Sequence, residues 1–188
     1  MAGRRAFVYQ RVLRGTRMIT RLVASMLIVT AVGGGCEGVS QSSEAERRIA
    51  AEQAVIKAYS DEVTKVDALL VQFLAAWKTA NEKKELKSYK DDLQANVVPA
   101  LDRFVRAAEA MPVGSTQLRA IHAPLMSAYQ DARAALQDFL KNVTEATIDA
   151  EYAKVLDAME KVTKAEEIYL TSLQAYYKEN RVDLQAGP

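Results

Sequence analysis

The stretch IDAEYAKVLDAMEKVTKAEEIYLTSLQAY, residues 148–176, decides the fold of this chain. It contains no glycine or proline, and its apolar and aromatic residues recur at alternating steps of three and four, which places them on one face of an α-helix. The residues of this face are Ile148, Tyr152, Val155, Met159, Val162, Tyr169, Leu173 and Tyr176, with Glu166 as its one charged member. A helix with so long an apolar face has to bury it against other helices, so this stretch predicts a helical bundle.

Three further segments carry the same periodicity and are separated by short polar or turn-forming stretches. Their apolar faces run from Ile49 to Trp77, from Leu86 to Met111 and from Leu118 to Val143. Ser43, followed by Glu46 three residues later, forms a capping box that predicts the start of the first helix. The pattern contains no stretch typical of β-strands, so the sequence predicts an all-α protein.

The breaks between the four helices are predicted from turn-forming residues. Asn81 and the charged run after it, residues 81–85, form the first break, although no glycine or proline enforces it. The stretch MPVGST forms the second, with Ser115 or Thr116 capping the next helix. The stretch KNVTEAT forms the third, with Thr144 as the predicted N-cap.

Four apolar-faced helices joined by short turns predict an antiparallel four-helix bundle. The first and last helices are each about 55 Å long by helix rise, and the middle two about 40 Å. The long pair should therefore project beyond the turn at 112–114 as a two-helix stem near Ile49 and Tyr176, which predicts a protein partner, the membrane surface or a second copy there. The alternative is a three-helix bundle in which residues 43–98 are one continuous helix.

The charges are distributed unevenly along the chain. Residues 1–35 contain six arginines and no acidic residue, which leaves 19 basic and 24 acidic residues from Cys36 onward. This mildly acidic part argues against a nucleic-acid partner, because such binding needs a basic face. An arginine-rich start before an acidic body is typical of a targeting segment joined to a folded domain.

The apolar run at residues 22–32 has the size of a signal-peptide core and is shorter than the roughly 20 residues that span a bilayer. Three glycines follow it and lead to Cys36, the only cysteine of the chain. The sequence VGGGC resembles the lipobox of bacterial lipoproteins, with Gly33 at a position that is usually aliphatic. In that family the peptide is cut before the cysteine, the sulfur receives a diacylglycerol, and the new amino terminus is acylated, commonly with palmitate.

The resemblance implies a lipid-anchored protein on the periplasmic face of a bacterial cell envelope. Glu37, in place of the aspartate that retains some lipoproteins in the inner membrane, favours the outer membrane. An ordinary secretory signal beside a chance cysteine is the alternative. Translation from Met18 would leave a compact signal peptide, and the residues RRAFV resemble the twin-arginine export motif, so the true start and the export route stay open.

The chain therefore divides into four parts. Residues 1–35 are the predicted signal peptide, and residues 36–43 are the lipidated cysteine with a serine-rich tether. Residues 44–182 form the helical bundle domain, and residues 183–188 form a short tail.

One polar layer is predicted inside the bundle. Counted from the turn near Thr144, Glu166 and His122 should lie at one height on adjacent antiparallel helices. The same count across the other turns adds Tyr59 and Arg103 at this level. The layer either fixes the register of the helices or forms a ligand site.

We found no catalytic motif and no set of ligands for a metal, and we expect no enzyme activity and no cofactor. The sequence predicts a non-enzymatic interaction or scaffold module. The alternative is a small-ligand sensor or carrier, in which kinks at Pro99 and Pro124 open a gap beside the polar layer. A haem or metal-binding bundle that uses His122 is a third, weaker possibility.

The Cys36→Ser variant tests the anchor. We expect it to lose membrane association and to accumulate as a larger precursor or a soluble form, because stable anchoring needs the two acyl signals that the modified cysteine supplies. Fractionation of expressing cells, with gel mobility as the second readout, measures this. Unchanged membrane partitioning of the variant would contradict the lipoprotein interpretation.

Overall fold

The computed structural model describes residues 27–29, 43–182 and 184–186. Cys36, most of the predicted signal peptide and most of the tether lie outside these residues. The elements are β1 Leu27–Val29, α1 Glu44–Asn81, α2 Leu86–Asp92, α3 Val98–Glu109, α4 Thr116–Asn142, α5 Ile148–Glu179 and β2 Leu184–Ala186. A π-helical segment, Leu93–Val97, joins α2 to α3, and we call the three together the composite helix.

The fold is an all-α, antiparallel four-helix bundle, as the periodicity predicted, built from α1, the composite helix, α4 and α5. Its core is one cluster of buried side chains that extends from Ile56 to Tyr177. Two three-residue segments outside the bundle, β1 and β2, pair in antiparallel fashion, with Leu27 opposite Ala186. These two short segments lie outside the four helices and leave the fold all-α.

Helix α1 begins and ends where the sequence predicted. The Ser43 hydroxyl accepts a hydrogen bond from the Glu46 backbone N–H at 3.3 Å, and the Glu46 carboxylate accepts one from the Ser43 N–H at 3.0 Å. The helix ends at Asn81, whose side-chain amide donates to a backbone carbonyl of the last turn, and α2 begins at Leu86. The three-helix alternative with residues 43–98 continuous is therefore wrong.

The π-helical segment has a cause in the sequence. Pro99 has no backbone N–H, and in a regular α-helix its ring would clash with the carbonyl of the preceding turn. The chain accommodates Pro99 by inserting a wider turn just before it, in which the Val98 N–H donates to the Leu93 carbonyl. This is the expected irregularity at Pro99, and it lets the composite helix continue without a break.

The two remaining turns differ in how well they were predicted. Ser115 is the N-cap of α4, and its hydroxyl accepts from the Leu118 N–H at 3.1 Å. The prediction of Thr144 as the N-cap of the last helix is wrong, because the helix begins at Ile148 with Thr147 in the N-cap position. Thr144 and Thr147 instead close the turn between them, each backbone N–H donating to the other hydroxyl, at 2.9 and 3.2 Å.

The outer helices are the longest, with 38 residues in α1 and 32 in α5. They nevertheless form no two-helix stem, and that prediction is wrong. The Tyr176 hydroxyl lies 3.0 Å from that of Ser115, at the start of α4, and also donates to Glu52. Tyr176 therefore lies level with the turn before α4, and only the first residues of α1, 44–48, are exposed on every side. Self-association or a partner at Ile49 stays a prediction.

Three sides of the bundle pack closely, and the fourth is wide. Helices α4 and α5 pack tightly along their length, and the composite helix packs against both α1 and α4, whereas the backbones of α1 and α5 seldom come near each other. We call this fourth side the α1–α5 seam. Five side-chain hydrogen bonds bridge the seam. Three have a defined donor: Tyr176 donates to Glu52, Tyr152 donates to Asn81, and the Gln53 amide donates to the Asn180 carbonyl. The other two join hydroxyl groups at 2.8 Å, Tyr59 with Tyr169 and Ser60 with Tyr177.

The two serine caps form a matched pair for testing this arrangement. We expect Ser115→Ala to reduce the free energy of unfolding by about 1–2 kcal/mol, because it removes both a cap and one of the two partners of the Tyr176 hydroxyl. We expect Ser43→Ala to cost less than about 0.5 kcal/mol, because the exposed first turn of α1 can fray without disturbing the core. Urea unfolding of the full chain measures both, and equal losses would contradict the position of Ser115 against Tyr176.

Candidate functional site

The α1–α5 seam contains a cavity of about 170 Å³. All four helices of the bundle contribute to its wall, and most of the lining is apolar or aromatic, including Val63, Leu70, Phe104, Met126 and Leu173. The cavity exists because α1 and α5 are joined here by long side chains rather than by close helix packing. Pockets of this kind, apolar with a few polar groups, are the usual form of a small-molecule site in a helical bundle.

The faces that line the cavity are the faces that the periodicity assigned to the core. On α5, Glu166 and Tyr169 alternate with apolar residues at steps of three and four. On α1, Tyr59, Val63 and Asp67 follow one another at steps of four. The same helical geometry that buries these faces therefore also brings their polar members to one cavity.

One wall carries a directed chain of hydrogen bonds. His122 Nε2 lies 3.1 Å from the Ala108 carbonyl, which can only accept, so Nε2 carries the proton. His122 Nδ1 then accepts from the Tyr59 hydroxyl at 2.9 Å, and the Tyr59 oxygen accepts from the Tyr169 hydroxyl at 2.8 Å. Burial lowers the pKa of His122, although the Ala108 contact opposes this, so the ring is neutral at pH 7. Burial raises the pKa of both tyrosines, which keeps them protonated.

The cavity wall also carries a buried carboxylate. Glu166 is only 8 % exposed, and its Oε1 accepts a hydrogen bond from the Tyr129 hydroxyl. Its other oxygen, Oε2, is buried and has no hydrogen-bond partner among the described residues. Burial raises the pKa of Glu166, and the Tyr129 bond lowers it by less. The Phe104 ring packs edge-on against Tyr129, with 4.6 Å between ring centroids, and so fixes the tyrosine that holds the carboxylate.

A second carboxylate, Asp67, lines the same cavity and is partly buried. Burial raises its pKa as well. No lysine or arginine is among the described residues that line the cavity. The two carboxylates therefore give the cavity a negative potential once they ionise.

The predicted polar layer exists in part. Tyr59 and His122 are hydrogen-bonded, and Glu166 lines the same cavity, but Glu166 is bonded to Tyr129 and not to His122. The late start of α5 at Ile148 explains this, because it places residues after Glu166 opposite His122. The count of residues along α5 therefore began about one helical turn too early when it started at Thr144.

Arg103 is not part of the layer, and that prediction is wrong. Its neighbour Phe104 faces the cavity, and adjacent residues on a helix point about 100° apart, so Arg103 is directed outward. It is exposed and borders a separate pocket that Asp92 and Asn96 also line. The kink at Pro99 likewise does not border the cavity, whereas Leu125 and Met126, just after Pro124, do.

Sequence reasoning missed several polar contributors to the site, among them Tyr129, Tyr169 and Asp67. Tyr129 and Tyr169 lie within the predicted apolar faces, whose periodicity indicates core residues, and Asp67 lies outside the predicted face of the first helix. The spacing of Asp67, four residues after Val63 and three before Leu70, is the signal that could have identified it.

Among residues 27–29, 43–182 and 184–186, no group of three or more histidine, cysteine, aspartate or glutamate side chains is placed to hold a metal ion. No helix in the described part of the chain is long and apolar enough to span a bilayer. Comparison with known proteins found no matching family model, no matching curated protein and no matching solved structure.

The raised pKa of Glu166 predicts a pH-dependent stability. In the folded chain this carboxyl keeps its proton above its ordinary pKa of 4.5, so its contribution to stability is complete below that pH and is lost as the pH rises through the folded pKa. Glu166→Gln keeps an acceptor for Tyr129 and removes the charge. We expect the variant to gain stability over the wild type as the pH rises from 4 to 8, because only the wild type has a buried carboxyl to ionise.

Urea unfolding at the two pH values measures this gain. Glu167→Gln is the matched control, because Glu167 is the exposed neighbour on the same helix, and its stability should follow that of the wild type. A Glu166→Gln variant that loses stability relative to the wild type as the pH rises would show that Glu166 is stabilised as an anion.

Proposed function

We propose that this protein is a membrane-anchored, non-enzymatic module that binds a small organic ligand in the cavity of the α1–α5 seam. The observation that carries the proposal is the Glu166 oxygen Oε2, which is buried in the wall of a largely apolar cavity and has no partner in the described part of the chain. A buried polar group of this kind is costly unless something satisfies it. Of the functions that the sequence predicts, this favours the ligand sensor or carrier, and the scaffold role stays a prediction.

The size of the cavity limits the ligand. Apolar cavities of about 150 Å³ accept a molecule the size of benzene, and the cavity here measures about 170 Å³. The ligand, or the part of it that enters the protein, is therefore a single ring or a short chain. A longer molecule can extend outward, because the seam is closed by side chains and not by a tightly packed helix pair.

The anchor and the cavity belong to one proposed arrangement. Lipidation at Cys36 would hold the bundle at the periplasmic face of the outer membrane, with the tether leading directly into α1. Helix α1 supplies one side of the cavity, through Tyr59, Val63 and Asp67. A ligand that changes how α1 packs on α5 would therefore act on the helix that is joined to the anchor, which suits a sensor.

The cavity proposal is tested by filling the cavity. Ala108 is buried and lines it, whereas the neighbouring Ala107 is half-buried and does not. We expect one-ring compounds to raise the melting temperature of the full chain by several degrees, the effect of ligand well above its Kd. Ala108→Leu should abolish this rise, and Ala107→Leu should retain it.

Two results would contradict the proposal. One is that no one-ring compound, whether cationic, neutral or anionic, stabilises the wild type. The other is that the stabilisation survives in an Ala108→Leu protein that is itself folded. Leu173→Phe, which enlarges a different side chain of the wall, replaces Ala108→Leu if that variant does not fold.

A further inference from the structure

We propose that the ligand of the seam cavity is an organic cation, a small amine whose ammonium group binds Glu166 Oε2 while its apolar part fills the cavity. This inference rests on the proposed function and names the chemical class of its ligand.

The hydrogen bonds around the cavity determine whether the ligand has to be a hydrogen-bond donor or an acceptor. The Tyr129 hydroxyl already donates to Glu166, and the hydroxyls of Tyr169 and Tyr59 donate along the chain that ends at His122. His122 donates its ring proton to a backbone carbonyl. These four donors are therefore engaged, while the ionised Glu166 leaves Oε2 as an acceptor that no described residue satisfies. A ligand that satisfies it has to be a donor.

The charged residues of the cavity wall determine whether the ligand carries a positive or a negative charge. Glu166 on α5 and Asp67 on α1 are the carboxylates of the cavity, and His122 on α4 is neutral. The composite helix contributes Phe104 and Ala108 and the turn after it contributes Met111, none of which carries a charge. An ammonium group supplies three donors and the opposite charge, so it can satisfy Glu166 and be attracted by Asp67 at once. An anion would be repelled by both.

The remaining lining suits the rest of such a molecule. Tyr129 and Phe104 place aromatic rings beside the carboxylate, where a cation gains from ring faces as well as from the ion pair. Beyond them, Val63, Leu70 and Leu173 provide an apolar wall for a ring or alkyl chain. The cavity thus pairs one anionic end with one apolar end, which matches an amphipathic amine.

Three molecules of nearly equal shape separate the possibilities. Benzylamine is a cation at neutral pH, benzyl alcohol is neutral, and benzoate is an anion. We expect benzylamine to bind the full chain at least about tenfold more tightly than benzyl alcohol in calorimetry, since a charge-assisted contact is roughly twice as strong as a neutral one and here occurs away from water. Benzoate should not bind measurably.

Variants identify the residue that binds the positively charged group of the ligand. Glu166→Gln should weaken benzylamine about tenfold and leave benzyl alcohol within about twofold, because only the cation uses the carboxylate charge. Asp67→Asn should weaken benzylamine by a smaller factor, since Asp67 is less buried. Glu167→Gln, on the outside of the same helix, should change neither. If Glu166→Gln does not fold, the Asp67→Asn series alone has to show the selective loss of the amine.

The outcomes distinguish this inference from the proposed function. If benzyl alcohol binds as tightly as benzylamine, or if Glu166→Gln leaves benzylamine binding unchanged, the cation inference is overturned and the cavity still binds ligands. If benzoate binds best, the assignment of sign is wrong. If none of the three binds and no larger one-ring compound does, the proposed function fails as well.

Discussion

The bundle depends on the hydrogen bonds that hold α1 and α5 together across a distance too large for close helix packing. A buried tyrosine hydroxyl needs a partner, and a long aromatic side chain can reach one across a gap. Tyr152 reaches Asn81 at one end of the seam, and Tyr176 reaches Glu52 at the other. Between them the Tyr59 and Tyr169 pair crosses the middle. The seam is thus closed by directed contacts, which leave space where apolar packing would remove it.

The candidate site follows from this constraint. Because the backbones of α1 and α5 stay apart, the side chains between them enclose a cavity, and the polar groups needed to bridge the seam become its walls. The bridge through Tyr59 engages His122, and burial lowers the pKa of this histidine and keeps it neutral, so it has a structural part in the wall. Glu166 has one oxygen held by Tyr129, and the other has no partner among the described residues. Ionisation of a carboxyl in this condition destabilises the empty bundle, and the ionised form is the feature that a ligand would use.

Much of the fold could be predicted from the sequence, because helix formation is governed by local patterns. The capping box at Ser43, the break after Asn81 and the cap at Ser115 each depend on residues within a few positions. The height of one helix against another is different, because it depends on how many residues a turn uses. The turn before α5 uses Thr144 and Thr147 to close on itself, which no local pattern distinguished from a cap at Thr144.

The sequence therefore predicted which helix faces form the site, but not which of its residues are hydrogen-bonded to each other. Periodicity placed Tyr59 and Glu166 toward the interior, and the count of heights from the turn added His122; all three line one cavity. It could not show that Glu166 pairs with Tyr129, because that contact depends on the shifted height of α5. The prediction for Arg103 was wrong for a related reason. Arg103 lies at the height of the layer, but its neighbour Phe104 faces the interior, so the Arg103 side chain is directed outward.

The protonation of Glu166 tests the account most directly, and carbon NMR of the glutamate side-chain carboxyls, assigned with the Glu166→Gln variant, measures it. The account predicts that the Glu166 carboxyl of the free protein titrates above its ordinary pKa of 4.5, and that saturating benzylamine shifts the midpoint downward, because a bound ammonium favours the ionised form. A Glu166 carboxyl that titrates at or below 4.5, with a midpoint that benzylamine does not move, would contradict the buried, unpaired carboxylate at the centre of this account.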